Sequence, residues 1–223
     1  MITYTSASSE DKVQKLIARI ASLSNGSSAA SVKADLALPG SPQQIVDATL
    51  SAFSTDTIDI LVNNAGILHH NKLADVTPEE FSSLHLVNLR APFFLTQSVH
   101  KHLPSSGGGR IVNISSVASR AGYPINSVYA STKAGLEALT RSFASELGPA
   151  GHTVNAVNPG PTQSDMMDQL DPAAVEMLKN TTPMQRRLGT GEDVAKIVGW
   201  LASEESRWVT GQTIGASGGL YMY

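Results

Sequence analysis

Apolar residues recur along the chain in two patterns, short continuous runs and stripes at helical spacing. The run at 58–62 is almost entirely apolar, as in a strand that is covered on both faces. The segment 127–147 instead places Leu136, Leu139, Phe143 and Leu147 on one helical face. Because strands and helices alternate from residue 2 onwards, the pattern predicts an α/β fold, a Rossmann-like, doubly wound parallel sheet with helices on both faces.

The same patterns give approximate bounds for each element, and no linker or internal repeat divides them, so we expect a single domain over 1–223. Ser41 as a cap followed by Pro42 at the first helical position, and the capping box that starts at Thr77, are typical of helix N-termini. The predicted strands lie at 2–4, 31–36, 58–62, 110–114, 152–157 and 213–216. The predicted helices lie at 9–23, from 41 to near 53, and at 77–103, 127–147, 172–179 and 192–202.

Composition and charge narrow the range of functions. The 223 residues are 41% hydrophobic and 16% charged, which suits one globular domain. The net charge of −3 gives no electrostatic reason to expect nucleic acid or an anionic membrane as a partner. Cysteine is absent, which excludes disulfides and thiolate metal sites. No apolar run reaches the ~20 residues of a membrane span, and residues 1–11 lack the features of a signal peptide, so we expect a cytoplasmic protein.

Polar and glycine-containing segments follow several of the predicted strands. These segments are Asp35, Asn63–Gly66, Ser115-Ser116 and Asn158–Pro161. In an open α/β sheet, ligands bind beyond the carboxyl ends of the strands. The sequence therefore predicts one site at this edge of the sheet.

Two residues of the helix at 127–147 suggest proton transfer. Tyr129 and Lys133 are four residues apart and share one helical face. A nearby ammonium favours the phenolate, which predicts that Lys133 lowers the pKa of Tyr129 below its usual ~10. Ser116, at the end of a strand, would lie beside the phenol if the chain returns there. The alternative is an ordinary surface pair on a helix.

Five motifs in order resemble those of the short-chain dehydrogenase/reductase family. Among its subgroups the chain is similar to 3-oxoacyl-carrier-protein reductases and to fungal-type reductases of polyketide and ketone substrates, which suggests secondary metabolism. The motifs are Asn63-Asn64-Ala65-Gly66, Asn88, Ser116 thirteen residues before Tyr129, Tyr129 followed by Lys133, and Asn158-Pro159-Gly160.

The resemblance implies an oxidoreductase of a small-molecule ketone or alcohol, with a nicotinamide dinucleotide as cofactor. It implies that Tyr129 is the general acid/base, that Lys133 lowers its pKa and binds the nicotinamide ribose, that Ser116 polarises the carbonyl, and that Asn88 holds a water in a proton relay. It also implies a homodimer or homotetramer. Further cofactor contacts are implied for Asp35 at the adenine, for Asn63, Ala65 and Gly66 along the adenosine ribose and pyrophosphate, and for Pro159, Gly160 and Thr162 at the nicotinamide.

One part of the family pattern has no counterpart here. The family begins with a strand, a glycine-rich TGxxxGxG turn and a helix, whereas Met1 falls at its second strand. We therefore expect a fold that lacks its first βα unit, with two apolar strand edges unpaired, and dinucleotide binding that is weakened or lost. In the family the missing strand lies in the middle of the sheet. Three explanations stay open: an incomplete gene model, a segment from Met1 that moves into this central position, or a relative that no longer uses a dinucleotide.

Other features bear on specificity. Thr5, Ser6, Ser8 and Ser9 follow the first predicted strand without an acidic residue, which favours NADP over NAD. The segment 162–190 is predicted to form a substrate loop or lid. Its methionines suit an apolar substrate, and the alternative is that they pack as ordinary apolar side chains. The histidine pairs have no carboxylate or cysteine cluster beside them, so we expect no metal site. The alternatives to a reductase are a cofactor-independent isomerase, dehydratase or cyclase, and a non-catalytic relative.

Overall fold

The computed structural model describes residues 1–5 and 9–222, which form parallel strands flanked by helices. The strands are β1 (Ile2–Tyr4), β2 (Ser31–Lys33), β3 (Ile60–Asn63), β4 (Arg110–Ile114), β5 (Thr153–Pro159) and β6 (Thr213–Ala216). The helices are α1 (Glu10–Ala21), α2 (Ser41–Phe53), α3 (Pro78–His85), α4 (Ala91–His100), α5 (Ser127–Leu147), α6 (Pro172–Thr181) and α7 (Gly191–Leu201).

The strands form two sheets, and every strand pair is parallel. A four-stranded sheet has the order β3-β4-β5-β6, and a two-stranded sheet pairs β1 with β2. The predicted fold class is confirmed, with the sheet interrupted between β1 and β3. A strand in the central position would pair with β3. Ile2–Tyr4 instead pairs with Ser31–Lys33 in the other sheet, so the explanation in which the segment from Met1 takes the central position is wrong.

The core lies on both faces of the four-stranded sheet, as the alternation of side chains along β4 shows. Ile111 packs with α2, α4 and α5 residues in one apolar cluster, whereas Val112 packs in a second cluster with Leu201 of α7. Both β4 side chains are 1% exposed or less. Burial on both faces explains why the adjacent β4 residues Ile111 and Val112 are both apolar.

A groove separates the two sheets. It has a volume of about 400 Å³, and the side chains that line it from β1 and β3 are uncharged. Ile60 and Val62 of β3 are 47% and 40% exposed, which is high for strand residues of this type. The two apolar strand edges that the sequence predicted are therefore present, one on each side of this groove.

The predicted helix at 77–103 consists of three pieces. The capping box at Thr77 starts α3, a π-helical turn follows at Leu86–Arg90, and α4 carries Pro92 in its first turn. Pro92 has no N–H to donate to the carbonyl of Asn88, so the regular hydrogen-bond pattern cannot continue there. The irregular turn lies where Asn88 reaches the site described below.

Most other predicted bounds agree with the structure. The predictions for α5 and β6 are confirmed to the residue. The expected capping role of Ser41 is wrong, because α2 already includes Ser41 and its hydroxyl donates to the carbonyl of Asp35 instead. No helix of the described residues is long and apolar enough to cross a membrane.

Candidate active site

The site is built where β4 ends and α5 begins. Ser116 follows β4 in an extended conformation, and its hydroxyl oxygen accepts a hydrogen bond from the backbone N–H of Ala118 at 3.2 Å. Tyr129 lies in the first turn of α5, and its hydroxyl is hydrogen-bonded to the Ser116 side chain. The structure therefore brings the predicted serine and tyrosine together.

Lys133 lies one helical turn beyond Tyr129 and is buried. Its Nζ donates a hydrogen bond to the carbonyl of Ile114 at 2.8 Å and lies 5.7 Å from the centre of the Tyr129 ring. Burial lowers the pKa of Lys133 to about 8, because a low-polarity environment disfavours the ammonium.

Burial has the opposite effect on Tyr129. Desolvation raises the pKa of its phenol, and the hydrogen bond from Ser116 only partly opposes that shift. The expectation that Lys133 lowers the pKa of Tyr129 is therefore wrong for this structure, because desolvation of the phenol is the larger effect. At neutral pH Tyr129 holds its proton and can act as an acid.

Asn88 is fully buried and binds the loop that follows β3. Its Oδ1 accepts from the backbone N–H of Ile67 at 2.9 Å, and its Nδ2 donates to the Ile67 carbonyl at 2.9 Å. A longer contact of 3.3 Å joins Nδ2 to Thr132 of α5. Asn88 thus fixes this loop beside the helix that carries Lys133. Its role in a proton relay stays a prediction.

A cavity of about 770 Å³ opens in front of these residues. Its lining is mostly apolar and includes parts of the segment 162–190 together with α7. Most predicted site residues line it, and they are Gly66, Ser116, Tyr129, Lys133, Pro159, Gly160 and Thr162.

Three predicted cofactor residues lie elsewhere. Asn63 and Ala65 line the groove between the sheets. Asn63 is buried, and its Nδ2 donates to Oδ1 of Asn113 on β4 at 2.8 Å, so it also ties two strands together. Asp35 lines neither space, and its Oδ1 accepts from the backbone N–H of Ala37 at 2.9 Å, as in a local turn.

The residues at one end of the cavity fit the nicotinamide ribose of a dinucleotide. An ammonium has three N–H donors, and the bond to Ile114 uses one of those on Lys133. Gly66 allows close approach here, since a Cβ on it would lie 3.3 Å from both Lys133 Nζ and Asn88 Oδ1. Hydroxyl and ammonium groups suit ribose hydroxyls and a carbonyl oxygen.

The part of the site where a dinucleotide would place its pyrophosphate has fewer suitable groups. Within residues 1–5 and 9–222, no glycine-rich turn leads from a strand into a helix N-terminus, the arrangement that binds pyrophosphate in dinucleotide folds. The first turn of α1 carries Glu10 and Asp11, whose charge is unfavourable for a phosphate. Ser6 and Ser8, on which the NADP preference partly depended, lie outside the described residues.

Sequence reasoning missed a buried carboxylate next to the site. Glu137 of α5 is 4% exposed and contacts the turn after β4 as well as the end of β5. Its place on the face of Lys133, one turn further, was the available signal. No group of three or more His, Cys, Asp or Glu that could hold a metal occurs in the described part of the chain.

Comparison with known proteins agrees with this geometry. The family model described as enoyl-(acyl carrier protein) reductase matches residues 1–221. The chain is 43% identical over 226 residues to dehydrogenase OXI1 of Cochliobolus heterostrophus, covering 99% of this chain and 96% of that protein. It is 35% identical over 216 residues to 3-oxoacyl-[acyl-carrier-protein] reductase FabG of Staphylococcus aureus, covering 97% and 86%.

A similar solved structure is the angucycline C-6 ketoreductase LanV with bound NADP. It shares 32% identity at a TM-score of 0.87, covering 97% of this chain and 83% of that one. The fold, the Ser116–Tyr129–Lys133 arrangement and these matches define the class of protein. The chain belongs to the short-chain dehydrogenase/reductase family of oxidoreductases, which confirms the resemblance that its motifs predicted.

Proposed function

We propose that the protein is an NADP-dependent oxidoreductase that reduces the ketone of a small to medium, partly apolar substrate, or oxidises the matching secondary alcohol. The observation that carries the proposal is the Tyr129 hydroxyl, which is hydrogen-bonded to Ser116, near Lys133 and at the wall of a largely apolar cavity. Relatives named as 3-oxoacyl reductase and ketoreductase support the ketone.

The chain's own groups account for the proton. Ser116 and Tyr129 would donate hydrogen bonds to the substrate carbonyl oxygen, and Tyr129 would then transfer its proton to that oxygen. Because the pKa of Tyr129 is raised, the phenol holds its proton at neutral pH and is able to donate it. Lys133 would return a proton to Tyr129, with Asn88 holding a water behind it. When bound, NADPH supplies the hydride for the carbonyl carbon.

We base the proposed cofactor contacts on the residues at one end of the cavity, which fit a nicotinamide ribose. Lys133 and Tyr129 would hold the ribose, and Pro159, Gly160 and Thr162 would lie beside the nicotinamide. We retain Asp35, Asn63, Ala65 and Gly66 as contacts of the adenosine and pyrophosphate portion. Because a charge-assisted hydrogen bond contributes about 1.5–3 kcal/mol, a chain without two such pyrophosphate contacts would bind roughly 10²–10⁴-fold more weakly.

The segment 162–190 is proposed to close over the substrate. Its Met166, Met167, Leu170 and Leu178 line the cavity, and Met166 is 36% exposed. Flexible thioether side chains adapt to apolar ligands of different shapes. This lining is the basis for expecting a partly apolar substrate.

The test is whether the protein reduces a panel of β-keto esters and aromatic ketones, measured as the loss of NADPH absorbance. Tyr129→Phe should lower kcat by about 10²–10⁴-fold, the usual contribution of a positioned acid. Tyr4→Phe, in β1, is the matched control and should keep wild-type turnover. A folded sample that binds no NADPH in calorimetry, even at millimolar nucleotide, would show that the proposal is wrong for this chain.

A second candidate follows from the pyrophosphate end of the cavity. An isomerase, dehydratase or cyclase would use Ser116, Tyr129 and Lys133 for proton transfer without a dinucleotide. The described residues contain no glycine-rich turn between a strand and a helix, which favours this candidate. Turnover without nucleotide that Tyr129→Phe abolishes would select this candidate. A strict requirement for NADPH would exclude it.

We also propose a homodimer or homotetramer that assembles through α5 and the α3–α4 helices. Ala134 and Ala138 lie exposed on α5, and small side chains allow two helices to approach closely. Light scattering should give a mass of two or four chains. A monomer at micromolar concentration would contradict this assembly.

A further inference from the structure

Glu137 is a charged side chain in the buried face of α5 that the proposed proton transfer does not use. It lies one turn beyond Lys133, and its side chain is 5% exposed. Burying a carboxylate is costly unless it is paired and hydrogen-bonded. The contacts of Glu137 therefore show which parts of the molecule the buried carboxylate holds in place.

The first carboxylate oxygen contacts three polar side chains. Oε1 accepts from Asn158 Nδ2 at 2.7 Å and is within hydrogen-bond distance of the hydroxyls of Ser115 and Ser119. Ser115 and Ser119 belong to the turn that contains Ser116, on either side of it. Asn158 belongs to the end of β5, next to Pro159.

The second oxygen forms an ion pair. Oε2 accepts from Arg120 Nε at 3.0 Å, and Arg120 directly follows the same turn. One carboxylate thus contacts two serines of the turn after β4, the arginine that follows this turn, and the end of β5. Those contacts are made from the helix that carries Tyr129 and Lys133.

Two further contacts fix the backbone of the turn itself. The Ser119 hydroxyl lies 2.6 Å from the carbonyl of Ser116, and the Ser115 hydroxyl lies 3.1 Å from the carbonyl of Lys133. Each hydroxyl has a single proton, so it donates either to the carbonyl or to Glu137. In both cases Glu137 and the two serines hold Ser116 at a fixed position relative to α5.

We infer that Glu137 is a positioning residue, which sets the distance and orientation between the Ser116 hydroxyl and the Tyr129 hydroxyl. The inference rests on the proposed function, because only a reaction at those two hydroxyls needs their exact alignment. Misplacement of a catalytic group by about 1 Å can cost 10²-fold in rate. The expected signature is a loss in kcat, with substrate binding little changed.

The kinetic test compares Glu137→Gln with Glu146→Gln, an exposed glutamate on the same helix. Glu137→Gln keeps the shape and one acceptor but places an amide N–H₂ against Arg120 or the turn. We expect kcat for ketone reduction to fall about 10- to 100-fold, with KM changed by less than about threefold. An unchanged kcat in folded Glu137→Gln, or the same loss in Glu146→Gln, would overturn the inference.

A second variant covers the case in which Glu137→Gln does not fold. Ser119→Ala removes the link to the Ser116 carbonyl and leaves the ion pair with Arg120 intact. We expect a smaller loss in kcat, about three- to tenfold, again without a matching rise in KM. A rise in KM at constant kcat would assign these residues to substrate binding and contradict a positioning role.

A measurement without turnover separates this inference from the proposed reaction. In protein labelled with ¹³C at the tyrosine ζ carbon, Tyr129→Phe identifies the Tyr129 resonance, whose shift reports hydrogen bonding of its hydroxyl. The resonance should move in Glu137→Gln and stay in Glu146→Gln, with the other tyrosine resonances unchanged. If it stays in Glu137→Gln, the positioning role is wrong even where the enzyme is active. If it moves and no ketone is reduced, the proposed reaction alone fails.

Discussion

The four-stranded and two-stranded sheets differ in how their strands are supported. Strands β4 and β5 have a neighbour on each side, and Ile111, Val112, Val154 and Val157 on them are 1% exposed or less. The two-stranded sheet pairs three residues of β1 with three of β2, and none of the six is fully buried. A two-stranded pair is marginally stable without further packing. The molecule therefore combines a well-supported region with a weakly supported one.

The candidate site follows the same division. Ser116, Tyr129 and Lys133 all belong to elements that pack on the four-stranded sheet, where their mutual positions are fixed by buried contacts. The predicted adenosine contacts Asp35 and Ala65 lie toward the two-stranded sheet and the groove. Ser116, Tyr129 and Lys133 thus lie on well-supported elements, as does the predicted contact Asn63 on β3, whereas Asp35 follows a strand of the weakly supported sheet.

The largest expected effect compares one isoleucine from each sheet. Ile111→Ala removes a fully buried side chain and should lower the free energy of unfolding by about 2–5 kcal/mol. Ile2→Ala, in β1, should cost less than about 1 kcal/mol, because Ile2 is only half-buried beside the groove. Urea denaturation measures both. Equal losses for the two variants would show that β1 is as firmly packed as β4, and the division proposed above would be wrong.

Much of the well-supported region could be predicted from the sequence, because its signals are local. The capping box at Thr77 and the periodicity of α5 depend on residues that are close in the chain. The pairing of Tyr129 with Lys133 followed from helical spacing, and the place of Ser116 at the site followed from parallel topology, since strand ends meet at one edge.

The remaining features depend on contacts between distant residues. Glu137 looks like a surface glutamate on a helix until Asn158 and the turn after β4 fold against it. The pKa of Tyr129 depends on how deeply the phenol is buried, which spacing along one helix cannot show. The pairing of β1 with β2 is likewise a choice between two neighbours that only the assembled sheet decides.

A smaller effect concerns the free energy of unfolding that is lost by burying Lys133 in the well-supported region. Lys133 has a pKa of about 8 in the folded protein, whereas the usual value of 10.5 applies to the unfolded chain. Between these values the unfolded chain binds the proton that the folded protein has released, so unfolding takes up a proton. The free energy of unfolding contributed by Lys133 should therefore rise with pH, by about 1 kcal/mol for each pH unit over this window.

Lys133→Met isolates this contribution, because other groups titrate equally in both proteins. At pH 7 the buried charge should make the wild type less stable than Lys133→Met, offset in part by loss of the hydrogen bond to Ile114 in the variant. Raising the pH from 8 towards 10 should shift the difference in favour of the wild type, as measured by urea denaturation at each pH. A difference that is independent of pH would mean that Lys133 keeps its ordinary pKa and that its burial against the four-stranded sheet does not disfavour the ammonium.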